Sequence, residues 1–199
     1  MLYRFAASQN MDTTTTGDLS NFADASSVQS YATEPMTWAV GNGIILGMGN
    51  NELAPRESAT RAQFAAICAR FDTGKSNGEQ TFSDIQGHWA EKYIQRAAEL
   101  GWIKGFEDGT FRPYKTISRQ EAAAMLDRLY QVLGGKTDVV SEKAFADDVK
   151  IGDWARDSVY AMRQTGIMQG KENNQFCPTD GYTAEQSIVT IERMYQIIK

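Results

Sequence analysis

Three pairs of glycines, the two members of each pair four residues apart, recur along the chain as Gly43/Gly47, Gly101/Gly105 and Gly166/Gly170. A proline follows each pair (Pro55, Pro113, Pro178), then an apolar run that ends in an arginine (Arg70, Arg128, Arg193). These marks shift together, by 58 residues from the first copy to the second and by 65 from the second to the third. Upstream, Phe22-Ala-Asp24, Phe82-Ser-Asp84 and Phe145-Ala-Asp147 open the three units. An aromatic residue (Tyr31, Trp89, Trp154) stands twelve residues before the first glycine of each pair. Five features matched in three copies define a tandem repeat. A repeat constrains the fold more than any lone motif, because each unit must bury its apolar face against its neighbours. The period is longer than the roughly 33–34 residues of the common helical repeats.

Each unit reads as helix–loop–helix, so the class is all-α. In the middle unit, apolar residues at 89, 90, 93, 94, 97, 98 and 100 form a helical stripe. Gly101 is placed to end that helix in a left-handed cap. Asp108-Gly109 signals a tight turn. Ser118 with Glu121 forms a capping box for a second helix through Tyr130, and Thr60 with Gln63 and Thr183 with Gln186 repeat it. The repeats span residues 19–73, 80–134 and 143–199. Residues 1–18 read as the last turns of a preceding repeat's helix (1–8) followed by a polar linker, because Leu2-Tyr-Arg-Phe5 is similar to Cys68-Ala-Arg-Phe71. Residues 73–80 and 134–143 read as the other linkers.

Composition excludes several functions. A net charge of -5 argues against nucleic-acid binding, which needs a strong basic footprint. No apolar run approaches the roughly 18 residues of a membrane span, and the opening Met1-Leu-Tyr-Arg-Phe-Ala does not read as a signal peptide. Cys68, in an apolar helical run, and Cys177, beside Pro178, read as free thiols rather than a disulfide or a zinc site. Asp108-Gly109 lacks the alternating acidic ligands of a calcium loop. With one histidine, His88, no nucleophile motif and no carboxylate pair standing apart from the repeat, the chain reads as non-catalytic, without metal or cofactor. His88 itself reads as a local cap or packing group.

These residues resemble the surface-layer-homology (SLH) repeat. Its pattern is an opening Phe-x-Asp, a Trp-Ala helix, a Gly-x-Ile-x-Gly step, an Asp-Gly-x-Phe-x-Pro turn and an Ile-Thr-Arg-Ala-Glu start to the second helix. The middle unit matches best, with Phe82-Ser-Asp84, His88-Trp-Ala90, Gly101-Trp-Ile-Lys-Gly105, Asp108-Gly-Thr-Phe-Arg-Pro113 and Ile117-Ser-Arg-Gln-Glu121. The resemblance covers about residues 19–197. It implies a three-lobed, pseudo-threefold assembly with a central helical bundle and grooves between lobes. The implied function is that of an extracellular module of Gram-positive surface proteins that anchors to a secondary cell-wall polysaccharide, an acidic and pyruvylated glycan. Self-association through the N-terminal helix is a further expectation, and the alternative is a protein-interaction or self-assembly scaffold.

The resemblance also nominates site residues. The motif arginine is present as Arg61 and Arg119, but Ala184 stands in its place in the third unit. A guanidinium presents paired donors to a carboxylate such as a pyruvyl ketal. Its bland reading is an exposed, solvated charge. Thr60 and Ser118 share the motif, although the capping box alone accounts for them. Asp24, Asp84 and Asp147 either accept sugar hydroxyls or cap the following turn. Trp89, Trp154 and Tyr31 either stack on sugar faces or, as helix-edge aromatics more often do, pack in the core. Gly109 is a groove-lining glycine. Arg70, Arg128 and Arg193 serve the helix dipole or pair between lobes. The turn is degraded in the outer units, to Gly49-Asn-Asn-Glu-Leu-Ala-Pro55 and Asn173-Asn-Gln-Phe-Cys-Pro178, so at most two competent arginine sites are expected.

Overall fold

In the computed structural model of the chain, the described residues are 17–48, 50–70, 82–137 and 144–198. The helix expected at residues 1–8 and the linker at 73–80 lie outside them. Six α-helices follow in order: α1 (Thr33–Gly41), α2 (Arg61–Ala69), α3 (Glu91–Glu99), α4 (Arg119–Val132), α5 (Asp153–Gln164) and α6 (Ala184–Ile198). Each repeat therefore contributes two helices. No strand occurs among the described residues, only isolated bridges.

Local chemistry sets the helix ends. Thr60 and Ser118 cap α2 and α4 with both halves of the capping box in place. At α6 the Gln186 N–H donates to Thr183 Oγ1 and the Thr183 N–H to Gln186 Oε1. After the first helix of each unit, Gly43, Gly101 and Gly166 adopt φ of 67°, 76° and 75°. That left-handed geometry costs glycine nothing, whereas a Cβ would clash with the backbone.

The opening Phe-x-Asp and the glycine pair are two sides of one contact. A Cβ at Gly47, Gly105 or Gly170 would fall on the ring of Phe22, Phe82 or Phe145 respectively. The aspartate of the same motif then holds the turn before the proline. Both oxygens of Asp24 accept the N–H groups of Leu53 and Ala54; Asp84 accepts those of Phe111 and Arg112, and Asp147 those of Phe176 and Cys177, at 2.7–2.8 Å. The second residue of each pair, Ala54, Arg112 or Cys177, has φ of 48°, 57° or 56°. A non-glycine residue there is strained by about 1 kcal/mol or more, and two charge-assisted hydrogen bonds offset that cost.

The repeats are joined by exchange. The second helix of each repeat packs on the first helix of the next: α2 on α3, α4 on α5, and α6 on α1. The backbone repeats one hydrogen-bond set at each junction. The N–H of Arg61 donates to Lys115 O, that of Arg119 to Asp180 O, and that of Ala184 to Glu57 O. Ala62, Gln120 and Glu185 donate in the same way to the carbonyls of Pro113, Pro178 and Pro55. The third repeat is thus tied back to the first by the bonds that tie the first to the second. The buried apolar residues of all three repeats, including Phe64, Phe111, Leu126, Phe176 and Ile188, form one core. Each fully buried side chain of this size stabilises by about 1.5–3 kcal/mol.

Candidate functional site

Arg61 and Arg119 open α2 and α4, and both are buried, at 4% and 5% exposure. Their guanidinium groups reach into the next repeat. Arg61 Nε donates to Phe111 O at 2.8 Å and Nη2 to Lys104 O, while Nη1 pairs with Glu121 at 3.4 Å. Its plane stacks on the rings of Phe106 and Phe111. Arg119 repeats this one unit on, with Nε on Phe176 O at 2.9 Å and Nη2 on Gln169 O at 3.0 Å. Burial lowers the pKa of Arg61. The solvated-charge reading of these arginines therefore fails: they cross junctions between repeats.

At the third junction Ala184 stands in place of the arginine, and the residue after it, Glu185, is an acid where the second repeat has Gln120. Glu185 is 3% exposed. It accepts the Tyr31 hydroxyl at 3.0 Å and the Gln29 N–H at 3.2 Å. Burial first, and then the Glu185 carboxylate, push the Tyr31 phenol up to about 12.

Beside the Arg61 junction lies an open groove of about 920 Å³. The loop before α4 supplies one wall with Lys104, Phe106, Arg112 and Lys115; α4 supplies Glu121 and Arg128, and Trp154 comes from the third repeat. Five cations (Arg61, Lys104, Arg112, Lys115, Arg128) face three carboxylates (Glu107, Asp108, Glu121). Arg112 stacks on the Phe106 ring and pairs with Asp108 at 2.9 Å, and Lys115 pairs with Glu121 at 2.8 Å. The Thr110 hydroxyl and Arg112 hold the Asp108 carboxyl down at about 2. Burial opposes ionisation of Glu121, but Lys115 and Ser118 outweigh it and keep its pKa below the usual value. The groove is therefore a cationic surface with an exposed indole on one side. An anion would meet paired donors there, and a sugar ring would find a flat apolar face.

The other nominated residues are spread out. Trp154 and Trp89 are 60% and 57% exposed and Tyr31 is 49% exposed, so none of the three packs in the core. The helical stripe of the middle unit runs back to Trp89, yet α3 starts only at Glu91 and burial begins at Ala90; Trp154 lies within the first turn of α5, whose buried face begins at Ala155. Of these aromatics Trp154 lies in the groove. Asp24, Asp84 and Asp147 have both oxygens committed to backbone N–H groups, as the turn-capping alternative requires. Thr60 and Ser118 are committed to their capping boxes, although Ser118 also lines the groove. Gly109 is exposed with φ of 76°. His88 accepts the Ala90 N–H on Nδ1 at 3.0 Å and packs against Trp89 and Tyr114, a local cap as expected. Arg70 donates to Ile44 O and covers the Tyr93 ring of the next repeat, which fits inter-repeat pairing. Sequence reasoning missed Lys104, Arg112 and Lys115. Their signal was available: charge at these aligned positions differs among the three repeats.

The S-layer homology domain family model matches residues 21–65, 81–123 and 144–181. The chain belongs to the S-layer homology family. Relatives include a "Cellulosome-anchoring protein" of Acetivibrio thermocellus, 39% identical over 88 residues, covering 41% of this chain and 20% of that protein. The "Amylopullulanase" of Thermoanaerobacterium thermosulfurigenes is 34% identical over 154 residues, 74% of this chain and 8% of that protein. The "Surface-layer 125 kDa protein" of Lysinibacillus sphaericus is 28% identical over 152 residues, 76% of this chain and 13% of that protein. The chain thus spans a fifth or less of the length of these relatives, and its likeness to the amylopullulanase is confined to a small part of that enzyme. No helix of the described residues is long and apolar enough to cross a membrane.

Proposed function

We propose that this SLH module is a non-catalytic anchor that holds a surface protein to an acidic, pyruvylated cell-wall polysaccharide outside the cell. The observation that carries the reading is the groove of the second repeat, where an excess of cations lies beside the exposed Trp154. Guanidinium and ammonium donors suit the carboxylate of a pyruvyl ketal, and the indole suits the apolar face of its sugar. Membership of the SLH family and relatives named for anchoring and surface layers support the same role. The three-lobed, pseudo-threefold arrangement belongs to this reading, supported by the hydrogen-bond set that recurs at all three junctions.

The test is sedimentation with isolated Gram-positive wall sacculi, before and after chemical removal of the secondary polymer. Co-sedimentation is expected with intact walls, is lost on stripping, and weakens as salt rises, because exposed charges are screened beyond about 8 Å at physiological ionic strength. A second reading, a self-assembly scaffold without glycan binding, is favoured by one observation: Arg61 and Arg119 are covered by the neighbouring repeat. A folded protein that ignores intact walls but self-associates would establish that reading instead.

A further inference from the structure

We infer that the chain carries one site for an acidic ligand, the groove of the second repeat, built by the exposed loop cations Lys104, Arg112 and Lys115. This rests on the anchoring reading above. The three repeats share a backbone frame, so positions can be compared in space as well as in sequence. Arg112, Ala54 and Cys177 are each left-handed, each precede the proline, and each donate to the opening aspartate. On that frame Lys104, Arg112 and Lys115 become Leu46, Ala54 and Glu57 in the first repeat, and Gln169, Cys177 and Asp180 in the third. Neither outer repeat keeps a cation at any of the three places.

What replaces them opposes an anion. In the third repeat Lys171 takes the place of Phe106, but its ammonium pairs with Asp180 at 2.6 Å. Gln120, a neutral amide that accepts the Gly152 N–H, is replaced by Glu185, which accepts the Gln29 N–H. A buried carboxylate there repels a second one. In the first repeat Leu46 and Met48 are exposed at 68% and 55%, and Arg70 spends its guanidinium on Ile44 O. The arginine that should enter from the preceding junction is Ala184. That surface is more apolar, and its exposed arginine, Arg56, stands at the place of Tyr114 and holds Ser27 O through Nε rather than standing at any of the three cation positions.

The experiment is calorimetric titration of the full chain at low salt with the methyl glycoside of a pyruvylated hexosamine, alongside wall sedimentation. One equivalent per chain is expected. Lys104→Gln/Arg112→Gln should weaken binding at least tenfold at unchanged Tm, since both side chains are exposed, and Lys171→Gln should leave it unchanged. Two or three equivalents, or equal losses from both variants, would overturn the single-site assignment while leaving the anchoring reading intact. So would sedimentation with walls in the absence of any heat from the glycoside. Failure to bind either glycoside or walls would remove the anchoring reading itself.

Discussion

Replacing Arg119 by methionine tests whether the motif arginine holds repeats together or faces a ligand. Arg119 is 5% exposed, with Nε on Phe176 O and Nη2 on Gln169 O. Hydrogen bonds from a charged donor contribute about 1.5–3 kcal/mol each. The stack on Phe176 and Tyr182 adds about 1 kcal/mol. Against this, the variant no longer buries a charge, which recovers several kcal/mol of desolvation, and methionine keeps most of the apolar stem. The Gln169 side of the site is exposed and its carbonyl can return to water, whereas Phe176 is buried and its carbonyl loses a donor at about 1–3 kcal/mol. The net loss comes to about 2–4 kcal/mol. For a chain of this length that lowers Tm by roughly 5–15 °C. Thermal unfolding followed by circular dichroism measures it, with wall sedimentation run well below both midpoints. Arg119→Met should melt early yet sediment normally when cold. A variant that melts with the parent and no longer sediments would refute the reasoning, because the guanidinium would then be spending its bonds on ligand.

Three further outcomes follow from the same geometry. Gly105→Ala places a methyl on the Phe82 ring and should cost about 1–3 kcal/mol, partly recovered in Gly105→Ala/Phe82→Leu; equal denaturation midpoints for parent and single variant would contradict the contact. Burial opposes ionisation of Asp147, but the Phe176 and Cys177 N–H groups hold its carboxyl below the ordinary aspartate value, so its contribution is complete above about pH 5 and is lost as pH falls through the lower folded value; urea unfolding from pH 2 to 7 should show a flatter acid limb in Asp147→Asn, and parallel limbs would be inconsistent with the clamp. Burial pushes the Cys68 thiol up to about 12, so iodoacetamide on the folded protein should label Cys177 and spare Cys68 until denaturant is added; equal labelling by mass spectrometry would place Cys68 at the surface.

What could be read from sequence was decided within a few residues. The capping boxes at Thr60 and Ser118 and the left-handed Gly43, Gly101 and Gly166 depend on neighbours in the chain, and they stand as the spacing predicts. The exposure of Trp89 and Trp154 was hidden: Trp89 continues an apolar stripe but stands before the start of α3, and Trp154 lies in the first turn of α5 yet is exposed. The burial of Arg61 depends on Phe111, 50 residues away, and that of Arg119 on Phe176, 57 residues away. No local pattern carries such a contact. The link between Phe82 and Gly105 sits between the two: both residues belong to the repeat signature, but a signature shows only that they recur together, not that one ring requires the other to lack a side chain.

The cations divide by burial, and so does what each can do. Arg61 and Arg119 have given up water for carbonyls of the next repeat, so an incoming anion could reach their donors only by breaking bonds that join the repeats. Lys104, Arg112 and Lys115 keep water, and the Arg112–Asp108 pair is an exposed pair of the kind worth at most about 1 kcal/mol, whereas Lys115 is itself exposed but pairs with the largely buried Glu121. A carboxylate can therefore displace Asp108 from Arg112 at little cost, while Glu121 stays in its capping box. This also explains how the third repeat can do without its arginine. The junction there retains the backbone bonds from Ala184 and Glu185, and the Glu185 carboxylate adds bonds from the Gln29 N–H and the Tyr31 hydroxyl of the first repeat. The fold requires each junction to be closed, not that it be closed by a positive charge. On the anchoring proposal, a ligand needs charge only where water can still reach it, and the exposed cations of the second repeat's groove meet that need.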